Sequence, residues 1–225
     1  MKKLLLLLLC VPLIGLGQGW TYGGPEWETN GSIEQTNDGG YIFCGTTESF
    51  GTGNQDIWVV KIDNQGNVEW QNTYGDTLNS SWGSYISITN DGGYIISGGG
   101  SDAGLINYNA GELIKLNHSG IVQWRKRYSQ MLSPLTCIIN INTVEQTTDG
   151  GYIMSGWGQR MWVDPIYGTG IDDIVSFVIK TDSLGNIFWH KIFPLSKETY
   201  YHIEEITSGD YIMCGPRSDT SNGIE

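Results

Sequence analysis

Asp38-Gly39-Gly40-Tyr41-Ile42 recurs as Asp91-Gly92-Gly93-Tyr94-Ile95, as Asp149-Gly150-Gly151-Tyr152-Ile153 and, altered, as Ser208-Gly209-Asp210-Tyr211-Ile212. The tyrosines lie 53, 58 and 59 residues apart. A second string, Lys61-Ile62-Asp63-Asn64-Gln65-Gly66-Asn67-Val68-Glu69-Trp70, follows the first copy, with partners at Lys115 to Trp124 and Lys180 to Trp189. Self-similarity of this kind marks a repeat architecture, in which each unit buries its apolar face against the next.

Each unit reads as four short strands. The first ends at the Asp-Gly-Gly turn, as in Ser32 to Thr36 or Thr143 to Thr147, with Ile33, Ile86, Val144 and Ile203 each eight residues before the repeat tyrosine. The second, Tyr41 to Gly45 and its copies, alternates with a period of two. The third, Asp56 to Ile62, is rich in β-branched residues. The fourth runs from Val68 to about Tyr74 and carries Trp70, with Tyr74, Tyr128 or Phe193 four positions beyond the repeat Trp. Asp63 to Gly66 and Asp182 to Gly185 place Asp at the turn start and Gly at the left-handed position, a type I turn with a G1 bulge, and Asn117 to Gly120 does the same with Asn. Four antiparallel strands per unit predict an all-β chain, a β-propeller with three complete blades (roughly 25–75, 76–129 and 135–194) and a partial fourth (199–225). A sandwich would not repeat an aromatic-anchored unit in register.

The alternation of Asp-Gly-Gly-Tyr-Ile-x-x-Gly with Lys-x-Asp-x-x-Gly-Asn-x-x-Trp resembles the repeats of bacterial secreted β-propeller proteins, over about residues 20–215. The resemblance implies an exported, often cell-surface protein of the type IX secretion cargo kind. The strand-four Trp is similar to that of the tryptophan-docking repeats of quinoprotein-like propellers, although the units here are longer. These motifs specify the repeat and no activity, and no sorting domain is recognisable after residue 215. Gly19 to Gly24 reads like the end of a fourth strand, with Tyr22 aligned on Tyr74. An open arc leaves strand edges unpaired, so a longer chain or a homo-oligomer is expected to complete the ring.

Ahead of the repeats, Lys2 and Lys3 precede an apolar run from Leu4 to Ile14 and then Gly15-Leu16-Gly17. This is the layout of a secretory signal peptide spanning residues 1–17, too short to cross a bilayer as an anchor. Cleavage after Gly17 leaves ten basic against 24 acidic residues, a net charge of −14. A chain this acidic is no nucleic-acid binder, because such binding needs cations that displace counterions from phosphate. The remaining Cys44, Cys137 and Cys214 are too few and too scattered for a disulfide scaffold or a zinc ribbon. Cys44 and Cys214 share a repeat slot with Ser97 and Ser155, which reads as a small packing residue in a strand.

Binding residues are expected in the connections that vary between units, Thr46 to Gln55, Gly99 to Ala110, Trp157 to Asp172, Gly75 to Gly83 and Ser129 to Asn142. The sharpest cluster is Trp157, Arg160, Trp162, Asp164, Tyr167, Asp172 and Asp173, with Met161 among them. Aromatic planes beside carboxylates and an Arg suit a sugar ring or a peptide. Trp70, Trp124 and Trp189 recur in register, which reads as packing between units. Lys61, Lys115 and Lys180 read as solvated strand-edge cations.

Enzyme signatures are thin. Gly98-Gly99-Gly100-Ser101-Asp102-Ala103 loosely matches a dinucleotide fingerprint, but no amphipathic helix follows it and Gly98 is the repeat glycine. His118, His190 and His202 have no zinc spacing, and neighbours such as Glu204 and Glu205 point to opposite faces of a strand. Calcium is the one cofactor the acidic connections would suit, without an Asp-x-Asp-x-Asp-Gly loop to hold it. The expected function is a secreted or cell-surface, non-enzymatic binding module for glycan or protein. The alternatives are a glycan-active hydrolase or lyase with its site at the channel mouth, or a structural module of a larger adhesin.

Overall fold

The computed structural model describes residues 19–52, 54–101, 109–129, 136–164, 168–193 and 202–215, with side chains for all of these except 136–137 and 160–173. The signal-peptide reading falls outside them. The described chain is all-β, with no helix. Its first unit is the antiparallel meander β1 (Glu28–Gln35), β2 (Tyr41–Thr47), β3 (Asp56–Ile62) and β4 (Val68–Tyr74). The second is β5 (Ser81–Ile88), β6 (Tyr94–Ser101), β7 (Asn109–Leu116) and β8 (Val122–Tyr128). The third is β9 (Thr136–Gln146), β10 (Tyr152–Asp164), β11 (Gly168–Thr181) and β12 (Ile187–Phe193), and the fourth is the hairpin β13 (His202–Glu205) and β14 (Tyr211–Cys214). One parallel bridge, Asn109 to Ile138, joins the second and third meanders, so the sheets have four, eight and two strands, and no closed ring forms among the described residues.

The units stack by a repeated offset. β5 packs on β1, β2 and β3; β9 packs on β5, β6 and β7; β13 packs on β9 and β10. Strand parity decides which side chains meet. Ile42, Cys44, Ile57 and Val59 of the first unit meet Ile86, Tyr94, Ile96, Ile114 and Leu116 of the second. Ile95 and Leu113 of the second meet Tyr152, Met154, Phe177 and Ile179 of the third. Ile153 and Val178 of the third meet Ile203, Tyr211 and Met213 of the fourth. β7, flanked by units on both faces, is buried from Ala110 to Leu116, its Glu112 and Lys115 included.

One latch repeats at all three junctions and a second at the first two, the third unit having Phe193 in place of the strand-four Tyr. The strand-four Trp packs on the next unit's repeat Tyr, with ring centroids 6.1 Å apart for Trp70 and Tyr94, 5.7 Å for Trp124 and Tyr152, and 5.9 Å for Trp189 and Tyr211. Such pairs add about 0.5–1.5 kcal/mol each beyond area burial. The strand-four Tyr donates to a turn carbonyl of the next unit, Tyr74 to Gly120 at 2.6 Å and Tyr128 to Gly185 at 2.8 Å. Tyr22 donates to Gly66 at 2.7 Å, so the segment before β1 occupies the place of a fourth strand of a preceding unit.

The repeat lysines are not solvated strand-edge cations. Lys61, Lys115 and Lys180 are 3–4% exposed, and their Nζ atoms lie 2.9, 3.0 and 2.8 Å from Asp38, Asp91 and Asp149 of the Asp-Gly-Gly turn. Each also donates to a strand-three carbonyl, that of Ile62, Leu116 or Thr181. The second Gly of the turn makes room for this. A Cβ on Gly40, Gly93 or Gly151 would lie 2.2, 2.2 or 2.1 Å from that same carbonyl and 2.6–2.7 Å from the lysine Nζ. The fourth hairpin has no third strand among the described residues and carries Asp210 at this position.

The turn aspartates lie low, near 2. Asp38 is held there by the Thr36 hydroxyl and then Lys61, and Asp149 by Lys180 and then Thr147. Asp91 is held down by Thr89 and Lys115 against the desolvation that opposes them. With folded values below the unfolded ones, the folded state binds fewer protons in that window, so their contribution is intact above about pH 4 and lost as pH falls through about 2. The triple variant Asp38→Asn, Asp91→Asn, Asp149→Asn is expected to show a shallower fall in melting temperature from pH 4 to 2 than the parent. Parallel profiles would refute this assignment.

Candidate functional site

The connection expected as a loop over Trp157 to Asp172 is instead a continuation of β10 and β11. These strands are 13 and 14 residues long, against 7 for β2 and β3 and 8 for β6 and β7. The extension is laddered on both sides. β10 pairs with β11 out to Asp164↔Gly168 and with β9 out to Arg160↔Thr136. Arg160 is opposite Asp173, Met161 is opposite Ile171, and Asp172 is therefore the extra residue of a bulge. Trp157 is half-buried and sits between Asn140 and Ser176 in the sheet. Arg160, Trp162, Asp164, Asp172 and Asp173 are placed by their backbone alone, and Tyr167 lies outside the described residues.

A second constellation, missed from sequence, lies where the first strands meet. Glu145 on β9 accepts hydrogen bonds from Tyr85 Oη at 3.0 Å and Ser87 Oγ at 2.7 Å, both on β5. Glu34 on β1 accepts from the Ile88 amide at 2.9 Å. His202 on β13 sets its ring 5.9 Å from that of Tyr85, and its Nε2 lies 2.9 Å from Glu204 Oε1. Burial raises both Glu34 and Glu145 above the usual carboxylate range, and burial followed by the Glu145 charge raises Tyr85.

A positional signal was available for this cluster. Glu34, Ser87, Glu145 and Glu204 all stand seven residues before the repeat tyrosine, and Ser32, Tyr85, Thr143 and His202 stand nine before it. These positions flank the repeat aliphatic eight before it, so they share the opposite strand face. Chemically, the described contacts are those of a polar seam. Glu34 and Glu145, both half-buried, are each held by donors of a neighbouring unit, and Glu205, on the opposite face from Glu204, accepts from the Thr148 amide at 2.7 Å.

Among the described residues no three His, Cys, Asp or Glu side chains are grouped to hold a metal ion. Cys44 and Cys214 are free thiols, the first buried and pushed up to about 11 by desolvation. No described helix is long and apolar enough to cross a membrane. Comparison with known protein families and with curated proteins found no match to the chain.

Proposed function

We propose that this chain is a β-propeller-type repeat module, exported after cleavage near Gly17 and acting in secreted or cell-surface form as a non-enzymatic binder of glycan or protein. The propeller reading is supported by four-stranded meanders stacked at a constant offset with their first strands adjacent. The single observation that carries the binding reading is the extended β10–β11 hairpin. The repeat does not need it, since the other units fold with strands of 7–8 residues, and it concentrates Trp157, Arg160, Trp162 and Asp164 on a paired, stiff support. Indole faces stack on sugar rings, while Arg and Asp hydrogen-bond hydroxyl groups.

The test is affinity electrophoresis of the full chain in gels containing neutral or acidic polysaccharides, beside the Arg160→Ala, Trp162→Ala double variant. Retardation by at least one polysaccharide, lost in the variant, is the expected result. Retardation that survives in the variant removes the hairpin from the reading, and none with any polysaccharide removes the glycan. The hydrolase or lyase reading has one observation in its favour, the raised Glu34 and Glu145. Release of reducing ends by the parent, abolished by Glu145→Gln, would favour it instead.

A further inference from the structure

The stacking rule leaves two faces uncovered, and they are the two halves of one junction. At the start of the chain, Ile33 is 61% exposed, whereas its repeat equivalents Ile86, Val144 and Ile203 are all 0% exposed. Ile33 borders a groove of about 530 Å³ with Tyr41, Phe43, Trp58 and Ile62, and with Trp20 and Tyr22 along its side. In the second and third units the corresponding face is filled by the preceding unit. At the other end, Ile212 is 60% exposed, whereas its equivalents Ile42, Ile95 and Ile153 are 0% exposed. Cys214 beside it is exposed, and its counterparts Cys44, Ser97 and Ser155 are buried.

We propose that the groove of the first unit seats the fourth unit of a second copy of this chain, head to tail. The occupant follows from continuity with the three junctions inside the chain. Each joins a face of the Ile212 type to a face of the Ile33 type, and the described chain ends with one of each. Part of such a composite unit is already in place. Tyr22 makes the strand-four latch to Gly66 at 2.7 Å, so the incoming hairpin β13–β14 and the segment around Tyr22 supply first, second and fourth strands of one composite unit. The contact is heterologous, using different patches on the two copies, so it closes into a ring or extends as a filament. It is independent of the glycan reading, since neither face includes the β10–β11 extension.

Sedimentation velocity of the full chain over about 1–100 µM tests this, with the variants Ile33→Asp and Ile212→Asp. Both positions are solvent-exposed in the isolated chain, so circular dichroism and melting of dilute samples report that each variant still folds. The parent is expected to associate to at least twice its monomer mass. Each variant alone is expected to be monomeric. An equimolar mixture is expected to recover a dimer, because Ile33→Asp keeps a good fourth unit and Ile212→Asp keeps a good first unit. A parent that stays monomeric overturns the proposal. So does association of Ile212→Asp alone at the parent's level, which would mean that two first units pair with each other.

Discussion

Gly98→Ala is expected to destabilise the chain by about 3 kcal/mol, the upper range for forcing an extra group into a packed site. Gly98, like Gly45 and Gly156, is the last residue of the Tyr-Ile-x-x-Gly string. A Cβ at these three positions would lie 2.0 Å from a strand-one carbonyl oxygen, that of Trp82, Thr29 or Asn140 respectively. The close approach arises where strand one shifts register against strand two, between Gly83 and Tyr85 in the second unit and between Asn30 and Ile33 in the first. The intruding atom is backbone, held in the β5–β6 ladder, and cannot swing aside as a side-chain tip can. For a domain of this size about 3 kcal/mol corresponds to a fall of roughly 6–12 °C in melting temperature. Gly92→Ala provides the contrast. Gly92 has φ +77° but nothing within 4 Å of its would-be Cβ, so its cost is the left-handed backbone alone, about 1–2 kcal/mol. If thermal melts place Gly92→Ala at or below Gly98→Ala in stability, the steric account of the repeat glycine is wrong.

Those two glycines also show what the sequence disclosed and what it withheld. The left-handed turn glycine was legible, because its reason is local and Asp-Gly-Gly announces it. The strands were legible for the same reason, and Asp56–Ile62 and Val68–Tyr74 lie where the repeat places them. The aromatic anchors were legible as inter-unit packing because they recur in register, even though their Tyr partners lie in the next unit. The second glycine and the lysine were not. Lys61 is separated from Asp38 in sequence by β2 and most of β3, so a cation at a strand end looks solvated until β3 is laid beside the turn. The long third-unit connection was misread as a loop. Gly158, Gly168 and Gly170 interrupt its alternation, and only pairing on both sides of β10 makes it sheet. The carboxylates of the first-strand seam were invisible one unit at a time. Glu34, Glu145 and Glu204 stand in units whose other first-strand residues differ, with Ser87 in the remaining unit, and only their common distance from the repeat tyrosine sets them apart.

Glu112 is the position where the repeat departs furthest from its own rule, and its replacement by Ala is expected to cost about 3–5 kcal/mol, the loss seen when one partner of a buried ion pair is removed. Its repeat equivalents are Trp58 and Phe177, yet Glu112 is 0% exposed. Its carboxylate accepts from Arg125 Nε and, at 2.8 Å, from Arg125 Nη2, and from Arg127 Nε at 3.3 Å, while Arg125 Nη2 also reaches Ser81 Oγ at 3.3 Å. The hydrogen bonds to Glu112 are the main reason the Arg125 guanidinium is held above its usual value. Arg125 in turn stands where the first and third units have Gln71 and His190. In the first unit the corresponding contact is Trp58 Nε1 donating to Gln71 Oε1 at 3.1 Å. In the first and second units strands three and four thus carry a hydrogen-bonded pair, Trp with Gln and Glu with Arg, and the third unit has Phe177 and His190 at these positions. Desolvating two charges consumes much of what their attraction returns, so an apolar pair of suitable volume does as well. Grafting the third-unit residues, Glu112→Phe with Arg125→His, is therefore expected to recover most of the stability that Glu112→Ala loses, with Arg127 turning its partly exposed guanidinium to solvent. Urea unfolding of the parent, both single variants and the double variant closes the cycle. A double variant no more stable than the sum of its single changes would mean that the two positions are not a pair.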